Sequence, residues 1–250
     1  MIELDGRSLT LEALGEVAHE GAPVALAAAA TPRLLGSRAV IERALESGLP
    51  VYGVNTGFGE LKNRHIGAPD LARLQLNLLR SHAAGVGPSL SRPEVRALGL
   101  LRANSLAVGV SGVRPKLVEA VLGLLNRGVH PVVPEQGSVG ASGDLAPLAH
   151  FALVLVGEGR AEFGGHIQSG SESLAMAGLA PITLAPKEGL ALINGTQLST
   201  AVLALVLARA QPLLRAALGA NALSLEALLG SIRAPWRCAR IRVRAGLRAR

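Results

Sequence analysis

Residues 137–150 read GSVGASGDLAPLAH, in which Gly137, Gly140 and Gly143, two serines and Asp144 crowd together ahead of an apolar run. A phosphate-gripping loop of pattern G-x-x-x-x-G-K-[ST] needs a cation after its second glycine, and here the anion Asp144 follows Gly143. A hydrolase elbow, G-x-S-x-G, fails because the second glycine arrives one position early in Gly140, Ala141, Ser142, Gly143. A turn capping a helix that begins near Asp144 accounts for the acid, which the first-turn N–H groups would stabilise. It leaves the Ala-Ser-Gly core without a reason. A fourth reading uses all three residues. If the Gly143 nitrogen closes on the carbonyl carbon of Ala141, a five-membered ring forms; the missing Cβ of glycine and the small alanine permit the compression. Loss of two waters, one from the ring carbonyl and one from the Ser142 side chain, leaves a methylidene carbon conjugated to an imidazolone. That carbon is an electrophile no standard side chain supplies.

Around this loop the chain punctuates itself as helix after helix. Thr31 followed by Pro32 predicts an N-cap ahead of RLLGSRAVIERALESG, closed by Gly48. Ser91 and Glu94 form a capping-box pattern that opens a helix reaching about residue 108. Apolar positions 117, 118, 121, 122, 124 and 125 make 114–126 amphipathic, with Gly128 as its stop. Pro69 and Pro186 mark further helix starts, and 196–218, nearly all Ala, Leu and Val, predicts a helix buried among others. Strand signals are confined to PVALA at 23–27 and a hairpin about Gly164 and Gly165 within 159–170. The fold class is therefore mainly α, with glycine-rich loops between long helices. Three of those loops, VYGVNTGFGE (51–60), SHAAGVG (81–87) and the opening one, together with ALINGTQLST (191–200), predict one crowded site.

The chain has 250 residues and a formal net charge of +7, but the charge is localised. Residues 231–250 hold seven arginines and no acid, and the rest of the chain holds 18 basic and 18 acidic residues. A basic module gripping nucleic acid through this tail is the competing reading; a neutral body and one tail aromatic, Trp236, weigh against it, so no nucleic-acid partner is expected. Glu3, Asp5 and Glu12 stand where an export signal would be basic and then apolar. The apolar runs at 145–157 and 198–208 fall short of the roughly 20 residues of a membrane span. With Cys238 as the single cysteine, neither a disulfide framework nor a Cys-based metal site is expected, and a cytoplasmic location is. His65, His130, His150 and His166 have no metal-site spacing and read as structural.

The stretches VYGVNTGFGE, LLRSHAAGVG, GSVGASGDLAPLAH and KEGLALINGTQLSTA resemble the aromatic amino acid ammonia-lyases, along a run from about residue 50 to 230. The resemblance implies a long-helix bundle with a glycine-rich, loop-containing N-terminal region. It divides the chain into 1–195, bearing the ring-forming loop; 196–230, the start of a central helical bundle; and 231–250, an aberrant arginine-rich tail. It implies that Ala141, Ser142 and Gly143 become the 4-methylidene-imidazol-5-one (MIO) cofactor autocatalytically, with no metal, and that Asp144 assists closure. Tyr52, the only tyrosine in the chain, matches the base that removes a substrate β-proton. A phenol titrates near pH 10, so that duty needs positive potential, which converging helix N-termini could provide. By the same resemblance Asn194 lies beside the cofactor and His82, followed by Ala83, matches the substrate pocket of the histidine-specific members. Taken alone, His82 reads as a helix C-cap and Asn194 with Gly195 as a turn.

The implied reaction is elimination of ammonia from L-histidine to give trans-urocanate, by a homotetramer; tyrosine or phenylalanine is the alternative substrate. The resemblance also implies a chain longer than this one, with a second tyrosine, a substrate-carboxylate arginine and a glutamate beyond residue 250. From about residue 232, where the family's run is replaced by Arg, Ala and Gly without period, the sequence reads as out-of-frame.

Overall fold

The computed structural model describes residues 1–57, 59, 66–67, 70–139 and 142–230. Ala141, the helix start at Pro69, His65 and the arginine-rich 231–250 fall outside the described residues. Two compact units are present, Met1–Leu205 and Val206–Arg250.

The first unit opens on β1 (Ile2–Leu4), which pairs in parallel with β2 (Val24–Leu26). The crossover between them, α1 (Leu11–Gly15), is capped by the Thr10 hydroxyl and runs into a π-helical turn, Glu16–Glu20. The predicted strand at 23–27 is β2; its partner β1 carried no strand signal of its own. Helix α2 (Thr31–Glu46) begins one residue earlier than expected, because a 3₁₀ turn, Ala28–Ala30, feeds straight into it. Thr31 is thus helical rather than a cap, while Gly48 supplies the expected left-handed stop. Helix α3 (Leu71–His82) leads into β3 (Val86–Ser89), and α4 (Arg92–Ala107) starts on the predicted Ser91–Glu94 capping box. Helix α5 (Pro115–Arg127) buries the six predicted apolar positions and stops at Gly128 in the left-handed region.

Two short strands, β4 (His130–Pro131) and β5 (Pro134–Gln136), precede α6 (Leu145–Leu155). Strand β5 pairs antiparallel with β3, and β4 joins the predicted hairpin, β6 (Arg160–Phe163) and β7 (His166–Ser169), in the order β4-β6-β7. Helices α7 (Gly170–Met176), α8 (Glu188–Ile193) and α9 (Gln197–Ala227) follow. Nine of the eleven residues of α6 are buried. Leu148 and Phe151 are essentially inaccessible, and each contributes about 1.5–3 kcal/mol by leaving water. The helix packs on α3 and α8, and these three helices position the site.

Two expectations fail at α9. Only Leu198, Ala201 and Leu205 of its 31 residues are buried, whereas Leu207, Leu213, Leu214, Leu218 and Leu223 are exposed. Within this chain the predicted burial therefore reaches as far as Leu205. Within the helical stretch Glu188–Ala227 an 18-residue window also reaches a mean hydropathy of 1.8, which by length and composition is enough to cross a membrane. One third of that window is buried in the protein, and core helices of water-soluble proteins pass the same test.

Candidate active site

Gly143 and Asp144 are buried, and the backbone of a second loop lies directly against them. A Cβ built on Gly143 would lie 2.4 Å from the Gly195 carbonyl oxygen, and Gly143 has φ +108°. Only glycine fits. The next amide, Asp144 N–H, donates to that same Gly195 carbonyl at 2.7 Å. The loops predicted separately as 137–150 and 191–200 are therefore one backbone clasp.

Asp144 occupies the N-cap position of α6 but makes no side-chain bond to that helix. Its carboxylate instead accepts from the Ser138 hydroxyl at 2.7 Å, and from the hydroxyl and backbone N–H of Ser199, each at 2.8 Å. Ser199 is in the first turn of α9, so one carboxylate sits at the N-termini of two helices and caps the second by hydrogen bond. The expected helix-N-terminal acid is present; its bonded helix is α9 rather than α6.

Behind Gly195 stands Arg102 of α4, only 3% exposed. Its Nη1 donates to the Asn194 carbonyl at 3.2 Å and to Gln197 Oε1 at 2.7 Å, and its buried Nε has no hydrogen-bond partner among the described residues. Burial without a compensating charge pulls its pKa down to about 10. Asn194 terminates α8, with its carbonyl bound and its side chain exposed.

His82 is the last residue of α3. Its Nδ1 lies 2.9 Å from the Leu78 carbonyl, which can only accept, so Nδ1 carries a proton and donates. The loop after His82 is fixed to α6: Gly85 N–H donates to His150 Nε2 at 3.0 Å, and a Cβ on Gly137 would lie 3.0 Å from Gly85 Cα. Burial lowers the His150 pKa, favouring the neutral ring that this bond requires. Its structural reading thus has a concrete form. At the other end of α3, buried Gln75 accepts from Gly189 N–H of α8 at 2.9 Å.

Tyr52 lies in a loop braced by its own Asn55. Asn55, 2% exposed, accepts from Val51 N–H at 2.7 Å and donates to the Leu49 carbonyl at 2.8 Å. Tyr52 itself is 54% exposed. The convergence of helix N-termini expected for it occurs at Asp144.

The structure thus joins Gly143 and Asp144 to the Asn194–Ser199 turn, with Ser142 exposed beside them. Arg102, Ser138, Gln197 and Ser199 were missed as members. The serines and the glutamine lie inside the two quoted loops, whereas Arg102 carries no local signal, since an arginine in mid-helix ordinarily reads as solvated.

The aromatic amino acid lyase family model matches residues 9–245, running past residue 232. The chain is 56% identical over 228 residues to a histidine ammonia-lyase of Gloeobacter violaceus, a match covering 91% of this chain and 44% of that protein. Among solved structures, histidine ammonia-lyase from Trypanosoma cruzi superposes with TM-score 0.85 at 42% identity, over 92% of this chain and 44% of that one. Pantoea agglomerans phenylalanine aminomutase gives TM-score 0.86 at 33% identity, over 93% and 45%. The chain spans about half the length of the curated relatives it matches. Its sequence and its fold agree, and the chain belongs to the aromatic amino acid lyases.

Proposed function

We propose that the chain carries the cofactor-forming part of a histidine ammonia-lyase, the enzyme of histidine catabolism that eliminates ammonia from L-histidine to give trans-urocanate. The observation that carries this reading is the contact of Gly143 with Gly195, where any Cβ would clash at 2.4 Å. Neighbouring backbone at Gly143, a position only glycine fills, suits ring closure between residues 141 and 143. The fit extends to Ser142, which is exposed, and Asp144, whose buried carboxylate can take up a proton during closure. The MIO group would supply an electrophilic carbon that captures the substrate, through its amine or its ring, so that ammonia can depart.

The chain's own residues supply the rest. Tyr52 removes the β-proton, and the α-amine leaves as ammonia. His82, with Nδ1–H committed to Leu78, keeps Nε2 as the nitrogen that accepts a bond from the imidazole N–H of the substrate. The Asn194 side chain would help hold the cofactor by hydrogen bonding. The working enzyme is a cytoplasmic homotetramer. The 56% identity to a protein named histidine ammonia-lyase supports histidine over other substrates; the likeness to phenylalanine aminomutase, at 33%, favours phenylalanine or tyrosine as the second reading.

Intact mass tests the core of this. The purified chain is expected to be two waters lighter than its sequence, and Ser142→Ala to have its full mass. A folded chain of full mass removes the reading. Substrate choice is read separately, by which amino acid yields its unsaturated acid and by whether His82→Leu changes that preference.

A further inference from the structure

Arg102 is a cation placed where cations are costly. It is 3% exposed, and among the described residues it forms no ion pair. Its partners are two neutral acceptors of one turn, the Asn194 carbonyl and the Gln197 side chain, and its Nε is left without a bond to any described residue. An unpaired buried charge persists when something other than local stability depends on it. What lies against it is specific: a Cβ on Gly195 would fall 2.4 Å from Arg102 Nη1 and 2.2 Å from Gln197 Oε1. Gly195 in turn bears on Gly143 with its carbonyl and receives the Asp144 N–H. The guanidinium and the Gln197 side chain thus lie against Gly195, and Gly195 against Gly143.

We propose that Arg102 is a positioning residue for ring formation, holding the Asn194–Gln197 turn rigid so that Gly195 compresses Gly143. This rests on the reading of 141–143 as the precursor of the MIO ring. The guanidinium suits the task because a single nitrogen, Nη1, donates to both ends of the turn. A methionine would fill a similar volume with neither donor, whereas a lysine keeps the charge and a donor but not the planar fork.

The test compares the full chain with Arg102→Met, Arg102→Lys and Gln197→Leu, by two measurements. The first is the fraction of molecules two waters lighter, followed in time after refolding. The second is hydrogen exchange at the Asp144 and Ser199 amides, which reports the clasp whether or not a ring forms. Arg102→Met is expected to slow the mass loss and to speed exchange at Asp144, each about tenfold; Arg102→Lys restores part of both, and Gln197→Leu falls between. Wild-type mass loss and wild-type exchange in folded Arg102→Met overturn the proposal. If Arg102→Met fails to fold, Gln197→Leu, which leaves the core of α4 intact, decides by the same two measurements. A wild-type chain of full mass defeats the ring reading, and the role in ring formation falls with it; unchanged exchange at Asp144 in the variants would show in addition that the clasp does not depend on Arg102.

Discussion

Asp144 is held by Ser199, 55 residues away in sequence, whereas Asn55 is held by Val51 and Leu49, its own neighbours. The loop of Ser142 is thus built from outside, by two helix starts and a glycine backbone. The loop of Tyr52 is braced in part from within, by the buried Asn55, whose own carbonyl also accepts from Ile66 N–H. A borrowed loop is as rigid as the elements that hold it and inherits their stability. The contrast suits a site in which one loop must compress backbone and the other need only bring a side chain.

The sharpest way to break the contrast is Gly143→Ala. The new Cβ meets the Gly195 carbonyl at 2.4 Å with φ at +108°, so overpacking and backbone strain together are expected to cost about 3–5 kcal/mol in thermal unfolding. Asp144→Ala removes the acceptor of three hydrogen bonds and is expected to cost about 2–3 kcal/mol. Ser199→Ala, which leaves the backbone donor in place, is expected to cost about 1 kcal/mol. Asn55→Ala loses two bonds within one loop. It should cost about 1–2 kcal/mol and raise proteolysis near residue 52 while leaving hydrogen exchange at Asp144 unchanged; a change there would show that the two loops are coupled.

The smallest expected effect is a pH dependence. Burial lowers the pKa of His150, so the folded state prefers its neutral ring, and Nε2 must stay unprotonated to accept from Gly85. The unfolded chain binds a proton first as pH falls through the ordinary histidine range. The stability from His150 is therefore present above that range and lost on acidification through it. His150→Gln should flatten that part of the stability profile, measured by denaturant titration between about pH 7 and 5.

What could be read from sequence divides along the same line. The capping box at Ser91, the stop at Gly128 and the hairpin about Gly164 and Gly165 are local devices, and each stands where it was predicted. Strand β1 exists because β2 pairs with it. Asp144 was legible as a helix-terminal acid but not as the acceptor of Ser199, since that partner is chosen by how α9 meets α6. Arg102 and Gln75 read as polar residues of a helix surface, yet both are buried, and only tertiary structure says which side of α4 and α3 is inside. The apolar run of α9 erred in the opposite direction, because composition records an affinity for cover and not the cover itself.

The 55-residue span between Asp144 and Ser199 also sets a clock. Nothing presses on Gly143 until Gly195 has arrived, and Gly195 arrives only with α8 and the first turn of α9 in place. Under the proposed ring formation, residues 141–143 would stay ordinary peptide until Ser199 has left the ribosome, and their dehydration would be a late event that certifies a finished clasp.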